Sequence, residues 1–139
     1  MEIRQATLKD LKLTLEYLGK RTINRKSWHI RHKKFILSYI KNKNNFFFIA
    51  LKDGKIVGTI NGELWVDKGF AYIGEVSSKG KDKKKIVKEM FEYFKMFCKK
   101  KKIKLINTYV NKKNKELMKN YKLLNMKKTG EYIGFEREI

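Results

Sequence analysis

The sequence predicts an α+β domain in which an antiparallel meander of strands feeds one parallel β-α-β unit. Three observations predict it. Phe46 to Leu51 and Ile56 to Val66 are apolar, β-prone runs joined across Asp53-Gly54, a strong two-residue hairpin signal. From Lys83 the apolar spacing changes from that of a strand to that of a helix, with Ile86, Met90, Phe91, Phe94 and Cys98 on one face. A run rich in branched residues, Ile103 to Val110, follows that helix of about five turns. A crossover of this length favours a parallel pair of strands and a right-handed connection.

The remaining elements follow in chain order. Met1 to Ala6 reads as a short strand with Ile3 inward. Thr7 precedes Leu8, Leu11, Leu15 and Leu18 at helical spacing, and Asp10, three residues on, suits a capping box. Ser27 is the expected cap of a second helix carrying Trp28, Phe35, Ile36, Tyr39 and Ile40, which Asn44-Asn45 ends. Lys68-Gly69 makes a turn, and Phe70 to Ser77 is the third strand of the meander. Lys99 to Lys102 sit at the C-terminal end of the long helix, where positive charge suits the macrodipole. Asn111 or Lys112 to Leu124 forms the last helix, with Leu117, Tyr121 and Leu124 on one stripe, and Met126 to Ile139 is expected to supply one or two closing strands.

Residues 1–139 are expected to form a single domain, because a chain of 139 residues leaves no room for a second core. Hydrophobic residues make up 42%, enough for a packed interior. Cys98 is the single cysteine, which rules out an internal disulfide and fits a reducing, cytoplasmic setting. No stretch approaches the roughly 20 apolar residues of a membrane span, so no membrane partner is expected. The formal charge of +21 admits a polyanionic partner: nucleic acid, an anionic membrane or a multiply phosphorylated cofactor. Only five of the cations are arginine, whereas nucleic-acid readers lean on arginine for bidentate contacts. The lysine excess and the absence of proline read instead as the composition of a genome poor in G and C.

Chemistry is expected where the third meander strand passes through a short loop into the N-terminus of the long helix. The first turn of a helix presents unpaired amides and a positive dipole end, a ready anion site. Lys79, Lys81, Lys83, Lys84 and Lys85 surround it, and cations there oppose the dipole unless an anion binds. His29 and His32 lie three residues apart without a third ligand, so no metal is expected, and they read as surface or acceptor-groove residues. Trp28 and Trp65 read as core or groove residues, and Cys98 as a core residue on the buried helix face.

The stretch from Asn114 through Leu117, Asn120 and Tyr121 to Asn125-Met126 resembles the C-terminal motif of the GNAT acetyltransferase superfamily, Asn-x-x-Ala-x-x-aromatic-Tyr-x-x-x-Gly-Phe. Asn114 and Tyr121 match in type and spacing, and Asn125 stands for the glycine because asparagine tolerates the left-handed conformation. The element order resembles the family along essentially the whole chain. In the cofactor loop, where the family writes Arg/Gln-x-x-Gly-x-Gly/Ala, Lys85 and Val87 occupy the glycine sites and Asp82 the Arg/Gln site. Counting from Val76 puts Lys81 there instead. Gly80 is the one glycine nearby.

The resemblance implies a GNAT-like fold and direct acetyl transfer from acetyl-CoA to an amine acceptor, without a metal. It further implies that main-chain groups at Val76 and Ser78 pair with the pantetheine arm. The amides of Asp82, Lys83, Lys84, Lys85, Ile86 and Val87 would hold the pyrophosphate, and Asn114 would contact the arm or order the last helix. Tyr121 would protonate the leaving sulfur, and Glu75 is the expected base, with Glu63 on the preceding strand as its rival. The acceptor carries no decodable motif, and a monomer and a homodimer are both open. Two other readings stand beside this one: a degenerate module of the same fold that binds acyl-CoA without catalysis, and a basic RNA- or ribosome-associated protein.

Overall fold

The computed structural model describes residues 1–19 and 25–139, and the side chains of all of these except 25–32. Strands β2 (Asn45–Lys52) and β3 (Lys55–Trp65) meet at the expected hairpin, with Lys52 opposite Lys55. Asp53 and Gly54 both take positive φ, 52° and 72°, the type I′ geometry whose twist matches that of the paired strands. Gly69, at φ 74°, makes the next turn into β4 (Phe70–Ser78). Strand β1 (Glu2–Gln5) adds antiparallel to β2 at one edge, and β5 (Leu105–Thr108) adds parallel to β4 at the other. The sheet therefore runs β1-β2-β3-β4-β5, all antiparallel but for its last pair.

Helix α1 (Leu11–Gly19) follows a 3-10 turn at Leu8–Asp10, and α2 (Arg25–Lys41) packs with it on one face of the sheet. The other face carries α3 (Lys83–Lys100), the crossover helix, and α4 (Lys115–Leu123). Alternation along β2 divides its side chains between the two layers. Phe46 and Phe48 enter the α3 core, where Phe46 stacks on Phe94 at 4.4 Å, and Phe47 and Ile49 enter the α1–α2 core. The predicted α3 face is buried throughout, from Ile86 to Cys98.

The Thr7–Asp10 box is present: the Thr7 amide donates to Asp10 Oδ2 at 2.7 Å. Asp10 also accepts from both terminal nitrogens of Arg4, at 2.7 and 2.8 Å, which ties α1 to β1. Some expectations need correction. Leu8 lies in the 3-10 turn and is exposed, so the buried stripe of α1 starts later in the chain. α2 begins before Ser27, which is therefore inside the helix rather than at its cap. Strand β5 is shorter than Ile103 to Val110 at both ends. No strand forms between Met126 and Ile139: after α4 the chain runs without regular structure, and Tyr132, Ile133, Phe135 and Ile139 are exposed. The His29, His32 and Trp28 side chains lie outside the described residues. Trp65 is exposed and stacks on Phe70 at 5.8 Å.

Candidate cofactor cleft and active site

A fork in the sheet makes the site. Strands β4 and β5 pair only from Phe70–Leu105 to Ile73–Thr108, and β4 then runs on beside β3 through Gly74 to Ser78. At the point of divergence β4 carries one extra residue, because Asn61 pairs with Glu75 while Gly62 pairs with Ile73. Gly74 is that bulge, and bulges bend the strand that holds them. Its tightness shows on both sides. A Cβ on Gly62 would overlap the Tyr72 carbonyl oxygen, and one on Gly74 would meet Asn61 Oδ1 at 2.9 Å.

Between the separated strands lies a cleft of about 390 Å³. Glu75, Val76 and Ser77 line it from β4, Val110 and Asn111 from the segment after β5, and Asn114, Leu117 and Asn120 from the start of α4. Asn114 caps α4: its Oδ1 accepts from the Leu117 amide at 3.1 Å. Val76 turns its side chain into the α3 core, so only its main chain is available to a ligand. Ser78, the last residue of β4, is buried opposite Gly58. Glu75 is half-buried beside the bulge.

Tyr121 does not line the cleft. Its ring is in the α3 core and 6% exposed, and its hydroxyl accepts from Thr108 Oγ1 at 3.3 Å. Thr108 Oγ1 also stands 2.7 Å from the Ile73 carbonyl, so its single proton is shared between the two acceptors and one hydroxyl links the phenol to both strands at the root of the fork. Burial pushes the Tyr121 phenol up to about 12; the Thr108 hydrogen bond opposes this, and Tyr72 and Glu75 add to it. Among the described residues, Glu75 is therefore the carboxylate whose field reaches Tyr121.

The loop after β4 leads to the N-terminus of α3. Gly80 takes φ 90°, and Asp82 occupies the cap position without a side-chain cap hydrogen bond. No acidic residue lies in the first turn of α3, and Lys81, Lys83, Lys84 and Lys85 are all exposed there. The nearest counterweight is Asp82, whose own partner is Lys52 at 3.9 Å. The Ile86 amide is already used by the Asp82 carbonyl at 2.9 Å, and Val87 lies one residue deeper. The free amides are thus those of Lys83, Lys84 and Lys85, and the Ile86 and Val87 positions serve the core. Lys79 has turned the other way: its Nζ donates to the Tyr17 carbonyl at 2.9 Å and lies 4.0 Å from the Tyr17 ring centroid.

On the α1–α2 face, next to the cleft, lies a second group that sequence reasoning identified only in part. Glu63 pairs across the strands with Tyr72, whose ring lies 5.7 Å from that of Tyr109. Burial, then Glu63, raises the pKa of both Tyr39 and Tyr72. No cation among the described residues forms an ion pair with Glu63. Below it, buried hydroxyls of Tyr17, Ser77 and Thr59 form a chain with spacings of 3.0 and 2.8 Å. Glu63 was legible as the rival base, but its phenolic neighbours come from α2, β4 and the segment after β5, and no local pattern joins them. The bulge did have a signal, because a glycine inside a strand pattern marks one.

Neither a family model nor a curated protein matches the sequence. Solved structures match in fold. The aminoglycoside 6'-N-acetyltransferase AAC(6')-IG of Acinetobacter haemolyticus aligns over 100% of this chain and 99% of its own, with a TM-score of 0.82 at 14% identity. AAC(6')-Iy, solved with the bisubstrate analogue CoA-S-monomethyl-acetylneamine, gives 0.79 over 99% of this chain and 98% of its own, also at 14% identity. A possible acetyltransferase of Clostridium difficile 630 gives 0.74 at 24% identity, over 99% and 97%. The likeness is one of fold, and the fold is that of the GNAT acetyltransferases, as the stretch from Asn114 to Met126 and the element order suggest.

Proposed function

We propose that this chain transfers an acetyl group from acetyl-CoA to an amine acceptor. The observation that carries the reading is the fork: a bulged β4 leaves its partner, and the gap leads toward a helix N-terminus whose amides are free. The residues present suit the co-substrate. The side of β4 that faces the cleft at Val76, with Ser78 at the strand's end, suits the amides of a pantetheine arm. The Lys83 to Lys85 amides, with the side chains of Lys81, Lys83, Lys84 and Lys85, suit a pyrophosphate, and that charge relieves the conflict between these lysines and the helix dipole. Bound there, acetyl-CoA supplies the activated acetyl group.

The chain's own groups divide the remaining work. Asn114 holds α4 in place at the cleft wall. Glu75 takes a proton from the incoming amine. Tyr121 holds a proton on its hydroxyl throughout the neutral range, since its phenol stands at about 12. Full transfer from such a phenol to a thiolate of pKa about 8.5 is uphill by about 5 kcal/mol. Tyr121 therefore acts only after its hydroxyl turns from Thr108 into the cleft, by a hydrogen bond that strengthens as negative charge grows at the leaving group, and hands over its proton late. Glu63, with the phenols of Tyr39, Tyr72 and Tyr109 around it, suits a cationic amine through charge and ring faces together.

Isothermal titration with CoA and acetyl-CoA in low salt tests the cleft, and release of free thiol with a panel of amines tests turnover. Tyr121→Phe should bind CoA as the parent does and lose turnover at least tenfold. Absence of binding at millimolar CoA would remove the proposal, and full turnover in Tyr121→Phe would remove the acid. The second reading, a module that binds acyl-CoA without catalysis, is favoured by the burial of Tyr121 and by lysine and valine at the two glycine sites of the loop. Retained CoA binding with no thiol release on any amine would select it.

A further inference from the structure

The end of the sheet opposite the fork gathers positive charge that its own surroundings do not balance. Strand β3 ends there at Trp65, β4 begins at Phe70 and β5 at Leu105, and these three residues stand in register across the strands. Helix α2 ends at the same place, since the Leu64 amide donates to the Asn44 carbonyl at 2.6 Å. So does α3, since the Lys104 and Leu105 amides donate to the Gly69 carbonyl at 2.9 and 3.2 Å. The chain ends gathered here carry Lys41, Lys43, Lys68, Lys99 to Lys102 and Lys104, all exposed. Across residues 41–45, 65–70 and 99–105, Asp67 is the one acidic residue.

Among the described residues none of these lysines forms an ion pair, whereas Lys52, Lys85 and Lys95 elsewhere are paired with acids. The macrodipole of α3 suits Lys99 and Lys100 in its last turn, but it falls off within a turn and does not account for Lys68 or Lys104.

Exposed apolar side chains share this end. Trp65 is 43%, Val66 46% and Leu105 59% exposed. The Trp65 ring, stacked on Phe70, has the Lys68 ammonium 5.2 Å from its centroid. An indole and two aliphatic groups set among lysines make up a surface suited to a lipid interface. The indole sits at headgroup level, the aliphatic groups reach the acyl boundary, and the ammonium groups meet lipid phosphates. Nucleic acid fits this end less well. Val66 and Leu105 give a base neither a stacking face nor a hydrogen bond, and none of the cations is arginine.

We propose that this end attaches the chain to an anionic membrane surface, with Trp65, Val66 and Leu105 entering the interface and the surrounding lysines on the headgroups. No helix among the described residues is long and apolar enough to cross a membrane. That excludes crossing, and attachment to a surface needs no span. The fork opens toward the other end of β4, so an attached chain keeps its cleft turned away from the lipid. The proposal stands independently of what the cleft binds.

Co-sedimentation with vesicles of phosphatidylcholine alone, or with about 30% phosphatidylglycerol, tests this on the full chain. The chain should bind the anionic vesicles in low salt, release as salt rises, and ignore the neutral ones. Lys100→Gln, Lys101→Gln and Lys104→Gln together should weaken binding about a hundredfold, at roughly fivefold per lysine. Lys83→Gln, Lys84→Gln and Lys85→Gln together remove the same charge from the opposite end and should cost far less. Trp65→Ser with Leu105→Ser should weaken binding about tenfold or more, and every variant should keep the far-UV circular dichroism of the parent. In a Trp28→Phe chain, where Trp65 is the one tryptophan left, emission should shift to the blue on anionic vesicles. Equal losses from the two lysine triples overturn the proposal, because net charge alone would then explain the binding. Emission from Trp65 that does not change in the bound chain also overturns it. So does a chain that ignores anionic vesicles while Lys100, Lys101 and Lys104 hold a uridine oligonucleotide, since the partner would then be nucleic acid.

Discussion

Replacing Asp10 by asparagine measures how much one buried carboxylate contributes to holding α1 over the sheet. Asp10 is 6% exposed and accepts four hydrogen bonds from Arg4 and Thr7. The Arg4 hydrogen bond is the main cause that holds its carboxyl at about 2 against an ordinary 3.8; burial opposes it, and Thr7 reinforces it. At about 1.4 kcal/mol per pKa unit, that interval corresponds to about 2.4 kcal/mol of stability at neutral pH. The folded value is the depressed one, so this stability is present above pH 3.8 and is lost as pH falls through 2. At pH 3 about 1.3 kcal/mol of it remains. Asp10→Asn cannot ionise, so parent and variant should differ by about 2–3 kcal/mol at pH 7, and the gap should narrow by about 1 kcal/mol at pH 3. Urea unfolding followed by circular dichroism at pH 7, 5 and 3 reads this directly. A gap that stays constant across that range, or one below about 0.5 kcal/mol at pH 7, refutes the assignment of the ion pair as the source.

Further outcomes follow from other positions. Gly62→Ala drives a methyl into the Tyr72 carbonyl and the Phe46 ring, so it should cost about 3 kcal/mol or more in thermal unfolding and widen the β3–β4 pairing beside the cleft. Lys83→Gln and Lys85→Gln each remove a cation from a helix N-terminus and should raise stability by about 0.3–1 kcal/mol while weakening CoA binding in titration calorimetry. Burial pushes the Cys98 thiol up to about 12, so its modification by a disulfide reagent at pH 8 should proceed only at the rate of unfolding. Immediate labelling of the native chain would contradict the buried α3 face.

What the sequence disclosed depended on how local each signal was. Asp53-Gly54 specifies its turn by backbone conformation alone, and the α3 face repeats over five positions, so both were readable and both are present. Asn114 and Tyr121 were readable as a spaced pair, but the spacing did not say that the phenol would sit in the core, tied to Thr108, rather than in the cleft. That depends on where β5 ends, and its four residues give little signal against the flanking Ile103 and Val110. The acidic and phenolic group at Glu63 was out of reach because it is assembled from four separate stretches of chain. The strands expected after Met126 do not form, because alternation along a sequence is no more than a pattern until a neighbouring strand pairs with it.

The three consecutive phenylalanines of β2 deserve a last look. Phe46 and Phe48 are anchored beneath α3, and Phe47 is anchored beneath α2, with all three fully buried. One short run of chain therefore acts as a rivet through the middle of the molecule. Neither helical layer can peel away without loosening the other, so the two halves should melt as one and exchange their slowest amide protons together. A chain built this way keeps its rigidity at the centre and leaves freedom of movement to the open end of the fork.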